Sequence, residues 1–195
     1  MVIVFSRYGI GATTVGLKCS EGVVLASEKR IAYAGYIMSR SGRKVFKITD
    51  RLGVAFAGLF ADMQALTRII AAEIRFYELT YGRKMTVRSA AKILSNVLYS
   101  QRALPYMSEV LVGGIDDTGP HLFVLDSLGS VLEDDYAAIG SGAPIAIGII
   151  ESAYTDKIDI KRCEELAVEA IRRAVARDSI SGCLLYTSPS PRDRG

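Results

Sequence analysis

The sequence predicts an α+β fold: a four-layer αββα sandwich in which two antiparallel sheets stack and a helical layer covers each. Three observations carry that expectation. Short strand-like segments come in hairpin pairs, segments of helical period come in twos, and the order along the chain is strands, two helices, strands, two helices. Paired helices between blocks of hairpins do not suit the βαβ crossovers of a parallel sheet; they suit antiparallel sheets with helices outside.

The elements follow in order. Residues 13–19, TTVGLKC, alternate as a strand, and 22–28, GVVLASE, read as its partner across a Ser20–Glu21–Gly22 turn. A second pair is KVFKI (44–48) and VAFAG (54–58), joined by a turn at TDRLG (49–53). Val54, Ala55, Phe56 and Ala57 are continuously apolar, which predicts a strand covered on both faces. From Asp62, read as a cap, to about Leu79, Met63, Leu66, Ile70, Ile74 and Tyr77 fall at helical spacing. Gly82 interrupts, and 86–103 gives a second amphipathic helix with Val87, Ala90, Ile93, Leu94, Val97 and Leu98 inside and Pro105 as its stop.

Strands return as EVLVGGI (109–115) and HLFVLD (121–126), joined by Asp116–Asp117–Thr118–Gly119, and are followed by a short SVLEDD and YAAIG. APIAIGIIESAY (143–154) reads as a mostly buried helix with Pro144 in its first turn. Residues 159–178 read as a helix capped by Asp159, with Leu166, Ala167, Ala170, Ile171 and Ala174 on one face. A sandwich of this kind closes with another pair of strands, yet nothing after Gly182 reads as one. LLYTSPSPRDRG (184–195) changes composition abruptly, and Pro189 and Pro191 exclude a regular helix or central strand there. That segment is similar to translated sequencing-adapter read-through. Residues 183–195 are therefore expected to be a non-native tail, with the natural C-terminus missing.

With 195 residues and 50% apolar content, the chain is long enough for one domain with a substantial core. The net charge of +3 is modest, with basic residues scattered among acids, which argues against a nucleic-acid partner. Cys19, Cys163 and Cys183 have no C-x-x-C spacing and read as small hydrophobes rather than disulfide or zinc ligands. No apolar run reaches the ~18 residues of a membrane span, and the start is too brief and too nearly uncharged for a secretory signal. A cytoplasmic location is the default expectation; no cofactor, metal or membrane is implied.

Taken singly, the polar motifs are weak. His121, the only histidine, lies in an alternating strand without a paired Asp or Cys signature. IGSGAP (139–144) could cradle an anion at a helix start, but it lacks the lysine and spacing of a nucleotide loop; it reads better as a glycine-bounded helix entry lined by Ser141. Glu28, Lys29 and Arg30 read as a solvated strand end, and Glu133, Asp134 and Asp135 as a solvated turn. GIGATTVGLK (9–18) poses the sharper question. An internal threonine is a poor nucleophile, whereas a threonine at a new N-terminus carries its own base, an α-amine with a pKa of about 8.

Together, ATTVGLKCSEGVVLASEKR, SGRKVFKI, AFAGLFAD, YMSEVLVGGIDDTGP, YAAIGSGAP and RDSISG strongly resemble the β-subunits of the archaeal-type 20S proteasome, over about residues 11–182. The resemblance implies the αββα fold of N-terminal-nucleophile (Ntn) hydrolases. It also implies rings of seven β-subunits, stacked in pairs and capped by α-subunit rings, in a core of about 28 subunits. That chamber is an endopeptidase that itself needs no ATP and degrades unfolded proteins delivered by an ATP-dependent unfoldase.

By the same resemblance, Lys44 matches the lysine that tunes the nucleophilic site, and Glu28 the acid that orients it. Ser141, Asp178 and Ser181 match the group that holds the terminal amine and its water, and Gly58 the glycine whose N–H donates to the developing oxyanion. The nucleophile departs from the pattern. Counting back from Val15–Gly16 puts Ala12 in its register and Gly11 before the cut, while Thr13 stands one residue late. One step along a strand is about 3.3 Å and reverses the side chain's face.

Residues 1–12 are thus read as a propeptide cut at 11/12 or 12/13, and 13–182 as the domain. Three functions stay open: threonine-type hydrolysis through Thr13, a non-catalytic β-subunit in a mixed ring, and a stand-alone Ntn amidohydrolase.

Overall fold

The computed structural model describes residues 11–33, 36–182 and 186–188. Of the expected propeptide only Gly11 and Ala12 are therefore described, and of the expected tail only 186–188; Cys183 lies outside the described residues.

Two sheets organise the chain. The first has the order β10-β1-β2-β11, with β1 Thr13–Cys19, β2 Gly22–Ser27, β10 Tyr136–Gly140 and β11 Tyr186–Ser188. The second has the order β5-β6-β7-β8-β9, with β5 Val45–Lys47, β6 Leu52–Gly58, β7 Ser108–Asp116, β8 Gly119–Leu125 and β9 Val131–Glu133. All pairings are antiparallel. A small separate hairpin joins β3 Ile31–Tyr33 to β4 Tyr36–Ser39. The helices are α1 Phe60–Tyr81, α2 Val87–Ser100, α3 Ala143–Glu151 and α4 Ile160–Arg177.

Side-chain alternation divides the core. Val54, Phe56, Val110, Val112 and Phe123 pack with Met63, Leu66, Ile70, Leu94 and Leu98 of α1 and α2. Val15, Leu17, Val24 and Ala26 pack instead with Ala146 and Ile150 of α3 and with Leu166, Ala170 and Ala174 of α4. Between these groups lie Ala12, Val23, Leu25, Val45, Ala55, Ala57, Leu111 and Leu122. The continuous apolar run in β6 is explained: alternate residues face the α1–α2 pair and the other sheet. The arrangement is αββα-like, with one helix pair against each of two sheets.

Several expectations are corrected. Asp62 does not cap α1: the cap position is Leu59, and Asp62 sits in the first turn, where its Oδ2 accepts the Met107 N–H at 2.7 Å. Thr86 caps α2, accepting the Ser89 N–H, and the helix ends at Ser100 rather than 103. Only Ala146 and Ile150 of α3 are fully buried, so that helix is less enclosed than its apolar sequence suggests. Both predicted turns are tighter, because β6 begins at Leu52 and β7–β8 turn through Asp117–Thr118 alone. Gly119, with φ 121°, takes the conformation that turn requires. The expectation of no strand after Gly182 is overturned, since Tyr186–Ser188 pair with Leu25–Ser27. Asp159 caps α4 as expected, accepting the Arg162 N–H at 2.9 Å.

Candidate functional site

Where β2 ends, Glu28 enters the interior instead of solvent, which corrects its reading as part of a solvated strand end. Glu28 and Lys44 are 0% and 3% exposed and form an ion pair through Oε1 and Nζ. Lys44 Nζ also donates to the Arg30 carbonyl at 2.6 Å. Glu28 Oε2 accepts the Arg30 N–H at 2.5 Å and the Gly182 N–H at 3.2 Å. Burial pushes the Glu28 carboxyl up against the charge and hydrogen bonds of Lys44, which pull it down. The same burial pulls the Lys44 ammonium down while Glu28 holds it up. Desolvation wins for both, bringing the pair closer to proton exchange than exposed groups would be.

A second cluster surrounds Asp178 at the end of α4. Its Oδ2 accepts from Ser141 Oγ at 2.6 Å, Ser181 Oγ at 2.5 Å and the Ser181 N–H at 3.1 Å. The Ile180 N–H reaches its Oδ1 at 3.3 Å. Ser141 reaches this point because Gly140, with φ 89°, turns the chain between β10 and α3 where a side chain would strike the Ala12 carbonyl. Ser141 Oγ also lies 3.4 Å from the Ala12 carbonyl oxygen, to which it can donate.

Ala12 and Thr13 face opposite ways, as successive strand residues must. The Ala12 side chain belongs to the layer between the sheets. Thr13, wholly buried, points toward Gly142, and its Oγ1 lies 2.6 Å from Ser181 Oγ. Thr14 Oγ1 donates to the Phe56 carbonyl at 2.8 Å, tying the two sheets together.

A cavity of about 270 Å³ is lined by Gly11, the residue before Ala12, and by Arg30, Met38, Lys44, Gly58 and Phe60, among others. Gly58 has φ 130°, and a side chain there would strike the Met107 carbonyl. Lys44 and Gly58 thus share one cavity with Glu28 behind Lys44, whereas Ser141, Asp178, Ser181 and the Thr13 hydroxyl form a separate cluster on the other face of the strand. Arg30 was missed by sequence reasoning. Its backbone serves Lys44, Glu28 and Gly182, and its guanidinium donates to the Ser179 carbonyl at 3.3 Å, joining the two clusters. Nothing in its spacing marks that role.

The Asp178 cluster carries a pH signature. Burial raises the carboxyl, but the hydrogen bonds from Ser141, Ser181 and Ile180 outweigh it and hold it below the usual aspartate value. A depressed folded-state pKa contributes stability above the unfolded value, about 3.9, that is lost as pH falls through the folded one. Asp178→Asn is therefore expected to remove part of the acid sensitivity, so that its melting temperature approaches wild type's as pH drops from 5 to 2.5. A gap that stays constant over that range would contradict this assignment.

The family model described as Proteasome subunit matches residues 9–185. Proteasome subunit beta 1 of Hyperthermus butylicus is 52% identical over 177 residues, covering 90% of this chain and 87% of that protein. Proteasome subunit beta 2 of Caldivirga maquilingensis is 52% identical over 170 residues, covering 87% and 85%. Proteasome subunit beta 1 of Staphylothermus marinus is 50% identical over 179 residues, covering 92% and 84%. The chain belongs to the proteasome subunit family, among its archaeal-type 20S β-subunits.

Proposed function

We propose that this chain is a non-catalytic β-subunit that completes a mixed ring of a cytoplasmic 20S core, whose peptide-bond hydrolysis is performed by a sister β-subunit. The observation that carries this reading is the facing of residues 12 and 13. Ala12, which has no hydroxyl, lies in the layer between the sheets with Val45 and Ala57, the sequence neighbours of Lys44 and Gly58. The Thr13 hydroxyl is buried on the opposite side against Ser181. Attack from Thr13 would need that hydroxyl to change faces, and misplacement by even 1 Å can cost about 10²-fold in rate.

In this reading the four-layer sandwich is the scaffold, residues 1–12 contain the leader, and Lys44, Glu28, Gly58, Ser141, Asp178 and Ser181 are the residues that match those of a catalytic β-subunit. The partners are α-subunits, other β-subunits and, through the assembled core, an ATP-dependent unfoldase and its unfolded substrates. The Thr13 nucleophile remains the second reading, favoured by the retained Lys44–Glu28 pair and Asp178 cluster.

Intact mass and N-terminal sequencing of the chain after co-assembly with its α-subunit and sister β-subunit separate the two. A start at Ala12, or a retained leader, is expected. A mature chain beginning at Thr13, whose Thr13→Ala variant loses its share of peptide hydrolysis, would overturn the proposal. Assembly at a mass far below that of a proteasome core would instead favour a stand-alone amidohydrolase.

A further inference from the structure

Gly58 forms a ridge between two cavities. On one side lies the apolar cavity that carries Arg30 and Lys44. On the other is a groove of about 440 Å³ lined by Ala57, Tyr106, Ser108, Glu109, Gly140 and Ser141, among others. Glu109, at the start of β7, is the one charged residue among the described residues lining that groove, and it is exposed. Its Oε2 accepts the Gly140 N–H at 2.8 Å, which holds the carboxylate against the groove wall. An ionised carboxylate offers about four acceptor positions, so one N–H leaves most of that capacity unused. Behind Ser141 stands the second carboxylate, Asp178. The two sides of Gly58 therefore differ in charge: on one, Lys44 is paired with Glu28 and Arg30 supplies the cationic side chain, and on the other Glu109 supplies an anionic one.

We propose that the groove holds the part of a bound peptide lying on the far side of Gly58 from Lys44, and that Glu109 selects a basic side chain there. This rests on the reading of the site as one that handles peptides, whether or not this chain cuts them. Continuity across Gly58 supplies the path for an extended chain. Two ends of opposite charge would orient it, since misplaced like charges repel across a shared groove.

The test uses the full chain in its assembled particle and labelled heptapeptides made uncleavable by a central N-methyl group. Lys, Gln or Glu is placed in turn on each side of the centre, and binding is read by fluorescence anisotropy at low and high salt. The Lys peptide is expected to bind about fivefold more tightly than its Glu counterpart at low salt, the scale of a partly exposed charge pair compared with a repulsive one. Glu109→Gln, which keeps an acceptor for the Gly140 N–H, should bring the two near equality, and Glu109→Lys should invert them. Equal binding in the wild type, or a Lys preference that survives Glu109→Gln, overturns the role of Glu109. Failure of every peptide to bind overturns the underlying peptide-site reading as well.

Discussion

Ala12→Thr, in a chain produced so that residue 12 is its first, should gain peptide hydrolysis at least about 10³-fold above the wild-type subunit in the same particle. Any other β-subunit in the particle that cuts peptides must be inactivated for the measurement. The substitution adds one hydroxyl and one methyl group on the face of residue 12 that packs between the sheets with Val45 and Ala57, the sequence neighbours of Lys44 and Gly58. The new α-amine supplies a base with a pKa of about 8, and Lys44, lowered by burial, lies on the neighbouring cavity to assist proton movement. Ser141 and the Asp178 cluster are already in place beside the Ala12 carbonyl. Thr13→Ala added to this variant should change the rate little, because the Thr13 hydroxyl serves Ser181 on the other face. An inactive Ala12→Thr chain that still assembles would show that the retained residues are structural. Activity that depends on Thr13 would show that the strand register shifts on maturation.

The legibility of this molecule from sequence follows the range of the interactions involved. β1, β2, β6, β7, β8, α2 and α4 could be read because burial imposes a period on seven or more residues, or on two strands joined by a tight turn. The β3–β4 hairpin could not, since its strands are three and four residues long and mark no face. β11 was hidden by prolines just beyond it; its three residues join the sheet through backbone pairing with β2, which needs no particular side chain. Asp62 was misread because its real partner, the Met107 N–H, is 45 residues away. Glu28 was misread for the same reason, as nothing local announces a lysine sixteen residues later that would make burial tolerable. The site could be placed only through the motif resemblance. What the resemblance left open, which way residues 12 and 13 face, is a question of strand register, and it is answered by Ala12 packing between the sheets while the Thr13 hydroxyl meets Ser181.

Lys44→Met should be the most destabilising of the site substitutions, costing about 3–5 kcal/mol at pH 7, measured by denaturant unfolding. Methionine nearly matches the lysine's length and leaves the cavity wall in place, so the loss isolates the charge. Glu28 would then remain fully buried with only the Arg30 and Gly182 N–H groups for its carboxylate. Burial already raises Glu28 in the intact pair, and Lys44 is what pulls it down. Without Lys44 the folded-state pKa rises further. A raised carboxyl contributes stability that is full below the unfolded value, about 4.3, and is lost as pH climbs through the folded one. The deficit of Lys44→Met against wild type should therefore shrink as pH is lowered from 7 toward 4.

Adding Glu28→Gln should recover much of the loss at pH 7 and flatten that pH dependence, because the neutral amide still accepts both N–H groups. If the two changes instead add independently, the pair is not coupled and the buried contact does not set the stability of the site. If they compensate, the coupling gives Lys44 a structural role that does not depend on which residue is the nucleophile. Once Glu28 is enclosed between β2, Arg30 and the 178–182 loop, losing the lysine would unfold the corner that joins both clusters, whether or not any peptide is cut there.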